Sequence, residues 1–109
     1  MLLDYEVLNE LKDVLAEDFS SLIGDYITQA SVSLEQMEHF VKESQLDKVL
    51  DLAHSLKGSS LNTGAIELAN LLKKLEDAIR SASEFSYQDI ISEIQQAFVK
   101  TVEELNKLN

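Results

Sequence analysis

A histidine, a lysine and a glycine occupy positions 54, 57 and 58 in a stretch whose other residues follow helical apolar spacing. Residues three and four apart are neighbours on a helix, so Lys57 and Gly58 lie one turn beyond His54. Neutral imidazole is a good nucleophile near neutral pH. Lys57, whose side chain we expect to lie largely at the surface, supplies a cation within reach of the ring. Gly58 removes a side chain where a bulky group would approach it. This pattern suits a reaction with an anion, of which phosphate is the simplest.

A nucleophilic imidazole also needs a partner for its second nitrogen. A carboxylate that accepts a hydrogen bond from one ring nitrogen leaves the other unprotonated and free to attack. Glu76 is the candidate, on the flank of the next helix at about 95° from its apolar centre. Position 65 is midway between 54 and 76 and adjoins the turn residue Gly64, so a hairpin turning there brings the two side chains level.

The surface around His54 is predicted to be smooth and polar. His54 lies about 100° from the apolar centre of its helix, on the flank. The outward strip beside it consists of small or polar residues, namely Asp47, Asp51, Ser55, Gly58 and Asn62. A lone flank histidine is most often an ordinary surface residue, and a Lys beside a Glu is often a solvated pair. The second histidine, His39, is predicted to be such a surface residue, because Glu35 and Glu43 lie one turn to either side of it.

Five helical segments must position these residues. Caps are predicted at Asp4, Asp18, Ser44 and Ser86, and Asn62-Thr63-Gly64 is the clearest turn signal. Ser81 to Ser86 reads as a loop. Apolar residues recur at helical spacing throughout, and the inward-facing set includes Val14, Tyr26, Ser60, Leu61 and Ala82. Short connections between long amphipathic helices predict an all-α fold, an antiparallel up-down four-helix bundle with a short additional N-terminal helix.

Composition limits the classes of function. The chain has 109 residues, no Pro, no Cys and three Gly, which predicts one helical domain without disulfides or thiolate metal sites. The net charge of −11 argues against nucleic acid and anionic membranes as partners. The start lacks the pattern of a signal peptide, and no stretch approaches the roughly 20 apolar residues of a membrane span. We therefore expect a cytoplasmic protein, and nothing in the sequence requires a dimer.

Residues 50–80 carry a resemblance to a known family. The run His54-Ser-Leu-Lys57-Gly58-Ser59-Ser60, followed by Asn62 and Gly64 and then by Leu68 and Leu75-Glu76, resembles the histidine phosphotransfer (HPt) family. The resemblance implies one HPt domain over residues 1–109 that relays phosphate between aspartates of response-regulator receiver domains in a two-component phosphorelay. A sensor histidine kinase, often a hybrid kinase, would be a further partner.

The resemblance also implies roles for individual residues. His54 would be phosphorylated on the ring nitrogen farther from the backbone, Lys57 would stabilise the phosphoryl oxygens, Gly58 would admit the receiver and Glu76 would orient the ring. The docking face would include Asp47, Asp51, Ser55, Gly58, Ser59 and Asn62. The family needs no cofactor or metal of its own, because the Mg²⁺ belongs to the receiver. Without a nucleotide motif the chain would be a phosphocarrier rather than a kinase.

Two other classes of function stay open at the sequence level. A helical adaptor without chemistry would explain the bundle and the acidity but not the clustered His, Lys and Gly. A hydrolytic enzyme would need more than one flank histidine. A metal held by His54 with Asp51 or Glu76 would have scattered ligands. The chain would be a free-standing shuttle or a domain excised from a hybrid kinase.

Overall fold

Four long helices form the body of the molecule, and a short helix precedes them. The computed structural model describes residues 1–82 and 86–108. The helices are α1 (Tyr5–Leu15), α2 (Phe19–Lys42), α3 (Leu46–Thr63), α4 (Ile66–Arg80) and α5 (Tyr87–Asn106), with a 3-10 turn at Ala16–Asp18 between the first two. Each of the four long helices packs against two others in the cyclic order α2, α3, α4, α5, and α1 contacts α2 and α3. The predicted fold is confirmed.

The helix starts confirm two of the four predicted caps. The Asp4 carboxylate accepts hydrogen bonds from the backbone N–H groups of Glu6 and Val7, and Ser86 accepts one from Asp89. At the start of α2 the prediction was wrong, because Asp18 is already in the right-handed helical conformation as the chain leaves the 3-10 turn. A capping residue needs a non-helical backbone to aim its side chain at the first turn.

The turn before α3 differs from the sequence prediction, whereas the loop between α4 and α5 agrees with it at its two ends. Ser44 does not cap α3, because it adopts a positive φ of 56° in the preceding turn and Gln45 occupies the capping position. Arg80 ends α4 and Tyr87 begins α5, which agrees with the predicted loop at its two ends. Positions 83–85 of that loop lie outside the described residues.

Gly64 makes the turn that aligns α3 with α4. Its φ of 84° is left-handed, a conformation that glycine adopts without a steric cost. A Cβ atom there would come within 3.0 Å of both the Asp4 carbonyl and the Leu8 side chain. The Asp4 N–H donates to the Gly64 carbonyl at 2.8 Å, so the N-terminal arm is fastened directly to the α3–α4 turn.

The core runs along the bundle axis and is built mainly from aliphatic side chains, with contributions from all five helices. Three residues predicted to face inward do not. Val14 is 81% exposed, because α1 covers one end of the bundle and buries only Leu8. Leu61 is 46% exposed, because it lies about two turns after His54 on the same open flank. Ala82 is exposed and follows the end of α4 with a φ of 49°. In the described part of the chain, none of the helices combines the length and apolar character that a membrane span requires.

Candidate functional site

His54 projects from the middle of α3 toward solvent while one side of its ring is held. Its side chain is 65% exposed, which confirms the predicted flank position. Nδ1 lies 3.3 Å from Oε2 of Glu76 on α4. A carboxylate can only accept, so this contact suits an Nδ1–H that donates to Glu76. The hairpin at Gly64 therefore does bring positions 54 and 76 level.

Glu76 is more deeply placed than the helical wheel predicted. It was expected on the flank of α4, but its side chain is only 1% exposed. The flank is covered because α3 packs alongside α4 and lays the side chains of His54 and Lys57 over the carboxylate. Burial by itself raises the pKa of Glu76, but the neighbouring Lys57 and His54 outweigh burial and hold this pKa below its usual value. The carboxylate is therefore ionised at neutral pH.

Lys57 faces this carboxylate. Its ammonium nitrogen lies 2.9 Å from Oε1 of Glu76, and its side chain is 22% exposed. The nitrogen approaches Oε1 away from a good hydrogen-bonding direction, so the contact is best described as an ion pair. The expectation that Lys57 lies largely at the surface was wrong, because the lysine leans against α4 rather than extending into water.

A third cation reaches the same carboxylate, and the sequence reasoning missed it. Arg80, in the last turn of α4, donates from Nη1 to Oε2 of Glu76 at 3.1 Å. The spacing of four residues between Glu76 and Arg80 is the signal that could have found it, since such pairs share a helix face. The carboxylate of Glu76 thus contacts three side chains, those of His54, Lys57 and Arg80.

The strip beside His54 is open. A Cβ atom at Gly58 would meet no atom within 4 Å in the described structure, so the glycine leaves room rather than serving helix packing. The predicted docking residues are exposed or partly exposed, namely Asp47, Asp51, Ser55, Gly58, Ser59 and Asn62. Their exposure agrees with the prediction, and their role in binding stays a prediction.

The opposite flank of α3 has a different polar contact. The hydroxyls of Tyr26 on α2 and Ser60 on α3 share a buried hydrogen bond of 2.6 Å. Burial raises the pKa of Tyr26 to about 12, although the hydrogen bond with Ser60 acts in the other direction. The sequence reading assigned both residues to the core without foreseeing that they meet.

The second histidine, His39, lies on helix α2, apart from the contacts of Glu76. His39 is exposed on α2, as predicted, and its ring centroid lies 5.4 Å from that of Phe40. Among the described residues there is no group of three or more His, Cys, Asp or Glu side chains placed to hold a metal ion. The alternative of a metal at His54 therefore has no such group to build on.

Comparisons with known proteins identify the family and the fold of this chain. The Hpt domain family model matches residues 21–108. The phosphorelay intermediate protein YPD1 of Candida albicans is 29% identical over 79 residues, which cover 70% of this chain and 43% of that protein, so the match spans less than half of the relative. The structure of histidine-containing phosphotransfer protein B (HptB) of Pseudomonas aeruginosa has the same fold, with a TM-score of 0.92 and 24% identity over 97% of this chain and 92% of that one. The chain belongs to the Hpt domain family, the histidine phosphotransfer domains of two-component phosphorelays.

Proposed function

We propose that His54 is the phosphate carrier of this domain and that it passes a phosphoryl group reversibly between aspartates of two receiver domains. The observation that carries the proposal is the contact between His54 Nδ1 and the buried Glu76 carboxylate, 3.3 Å away, on a ring that is otherwise exposed. This contact favours the tautomer with the proton on Nδ1, so Nε2 has a free lone pair.

In the proposed transfer step the proton on Nδ1 of His54 stays on the ring. The Nε2 lone pair attacks the phosphorus of the aspartyl phosphate, the N–P bond forms, and the P–O bond to the aspartate breaks to release its carboxylate. The imidazole becomes positively charged as the bond forms. Glu76 faces that charge through Nδ1–H, and because it is fixed and buried it needs no reorganisation during the step.

The cations around Glu76 serve the arriving group. A phosphoryl group brings a charge of about −1.5 to −2, and the chain already carries −11. Lys57 and Arg80 provide positive charge beside the ring and offset this repulsion. The ammonium of Lys57 would be shared between Glu76 and the phosphoryl oxygens. Arg80 is a second cation close to the ring, because it donates to Oε2 of Glu76, the oxygen that also contacts His54.

The other parts of the relay come from partners. In this proposal a receiver domain holds the Mg²⁺ and the aspartate, and a sensor histidine kinase feeds the first receiver. The chain needs no cofactor of its own and makes no phosphohistidine from ATP unaided. It acts in the cytoplasm as a monomer, and residues 1–109 act as one phosphotransfer domain.

Phosphate labelling tests the carrier residue. We would incubate the protein with phosphorylated receiver domains and look for acid-labile phosphate on the wild type, on His54→Gln and on the matched control His39→Gln. Label on the wild type and the control, but not on His54→Gln, is expected. Label on all three would mean that another residue carries the group. Label on none, across the receivers of the same cell, would favour the adaptor without chemistry.

A further inference from the structure

Negative charge is distributed unevenly over this domain. Residues 1–42, which include α1 and α2, hold nine of the 20 Asp and Glu residues but two of the nine Lys and Arg residues, so they carry seven of the eleven net negative charges. Among the described residues, Glu38 is the one carboxylate of these nine with a cation partner. The α1–α2 side therefore projects an uncompensated negative field.

The α4 side differs because its cations are paired. Lys73, Lys74 and Arg80 contact Asp77, Glu93 and Glu76 respectively. Charges of opposite sign held within about 4 Å cancel at distances beyond a few ångströms. An approaching protein consequently meets a strong field over α1 and α2 and a weaker one over α4.

A groove of about 220 Å³ lies between α2 and α3 on the negative side. Its walls are mainly apolar, with Leu22 and Tyr26 from α2, and Ser59 and Asn62 from α3 form the edge next to the open strip at Gly58. The groove is thus continuous with the surface on which His54 stands.

Carboxylates stand at both ends of this surface. At one end, Asp25 lines the groove from α2, and Asp18 lies in the 3-10 turn that directly precedes α2. Asp47 and Asp51 lie at the other end, on the outward strip of α3 before His54. We call Asp18, Asp25, Asp47 and Asp51 the acidic rim, and all four are exposed. At about 1.5 Å per residue, α3 runs roughly 22 Å from Asp47 to Asn62, a length that suits a footprint of about 800 Å² per partner.

We infer that the α2–α3 groove and the acidic rim select receiver domains that present an apolar surface flanked by Lys or Arg. This inference rests on the proposed function and adds the charge of the partner to it. The basic flanks would meet the acidic rim, while the acidic centre of the receiver would meet Lys57 and Arg80 at His54. Complementary fields of this kind raise the rate of association more than the final affinity.

The test measures phosphotransfer from the receiver domain that labels His54 fastest. Its second-order rate would be followed between about 0.01 M and about 1 M salt, over which the Debye length falls from about 30 Å to about 3 Å. The variant is Asp18→Asn/Asp25→Asn, which removes two rim charges that lie outside α3, the helix that carries His54. The control Glu67→Gln/Glu103→Gln removes two exposed charges from α4 and α5. Each rate is divided by the rate of labelling with phosphoramidate, a small donor that does not dock.

We expect the wild-type rate to fall as salt rises and the Asp18→Asn/Asp25→Asn rate to be about threefold to tenfold lower at low salt, with the two converging at high salt. The control should stay within about twofold of the wild type. Equal effects of the two double variants, or a wild-type rate that is unchanged or rises with salt, would overturn the inference while leaving phosphorylated His54 intact. Absence of label on His54 with every receiver and with phosphoramidate would instead overturn the proposed function.

Discussion

On the side of α3 that faces α4, the buried Glu76 carboxylate contacts the His54 ring and two cations, those of Lys57 and Arg80. On the side that faces α2, two neutral hydroxyls share one hydrogen bond in the core. We call the contacts of Glu76 the charged side of α3 and the Tyr26–Ser60 contact its neutral side. The charged side leaves His54 exposed, and the neutral side fixes α3 against α2. One helix can thus expose a histidine on one flank and pack tightly on the other, because each flank has its own neighbour.

The largest expected effect is on the charged side. Glu76→Ala should lower the free energy of unfolding by about 3 kcal/mol, because it leaves Lys57 partly buried without its counter-charge. The measurement is urea denaturation, with Asp77→Ala as the matched control. Asp77 is the next residue and has an exposed ion pair with Lys73, so its loss should cost less than about 1 kcal/mol. If the two variants lost the same free energy of unfolding, the buried Glu76 carboxylate would stabilise the fold no more than the exposed Asp77 does.

The stabilising contribution of the neutral side should be lost at alkaline pH, and that of the charged side should be lost at acid pH. The pKa of Tyr26 is raised to about 12, so its stabilising contribution is complete below its unfolded value of 10 and is lost as pH rises toward 12. That loss amounts to up to about 2–3 kcal/mol. The pKa of Glu76 is lowered, so its contribution is present above its usual value and is lost as acid takes pH down through the lowered pKa. Stability against pH for the wild type, Tyr26→Phe and Glu76→Gln measures both.

In that experiment each variant is the control for the other. Tyr26→Phe should flatten the alkaline limb and leave the acid limb in place, and Glu76→Gln should do the reverse. An acid limb that survives in Glu76→Gln would assign it to other carboxylates.

A smaller effect is expected from the neutral side alone. At neutral pH Tyr26→Phe should cost about 1–2 kcal/mol, because it leaves the buried Ser60 hydroxyl without its partner. Adding Ser60→Ala should recover part of the loss. Labelling of His54 by phosphoramidate should stay within about twofold of wild type. A large drop in labelling would mean that the two sides of α3 are coupled, which would contradict their separate roles.

The smallest expected effect lies between the two sides, at Gly58. Gly58→Ala should raise the free energy of unfolding by about 0.5–1 kcal/mol, because alanine has the higher helix propensity and the added Cβ meets open space. Gly58→Leu should keep some of that gain but slow transfer from a receiver, since the side chain would stand in the docking surface. Thermal unfolding and receiver transfer would be compared in the two variants. Normal transfer by Gly58→Leu would show that access is not the reason for the glycine.

Much of the site could be predicted because it follows from spacing along the chain. The separation of His54, Lys57 and Gly58 fixes their shared turn, and the distance of positions 54 and 76 from Gly64 fixes their level across the hairpin. Arg80 could have been found by the same rule, since it follows Glu76 by four residues. The observed contact between His54 and Glu76 agrees with the level across the hairpin that these spacings predict.

Local propensity and register within one hairpin were enough to predict the helices, the Asp4 and Ser86 caps, the turn at Gly64 and the pairing of His54 with Glu76. The packing of the helices against one another buries Glu76, turns Lys57 inward and brings Tyr26 to Ser60, and none of these three features follows from the amino-acid pattern. A helical wheel gives the direction of a side chain but not what covers it. Burial on a flank depends on how closely the next helix packs there, and that is a property of the whole bundle.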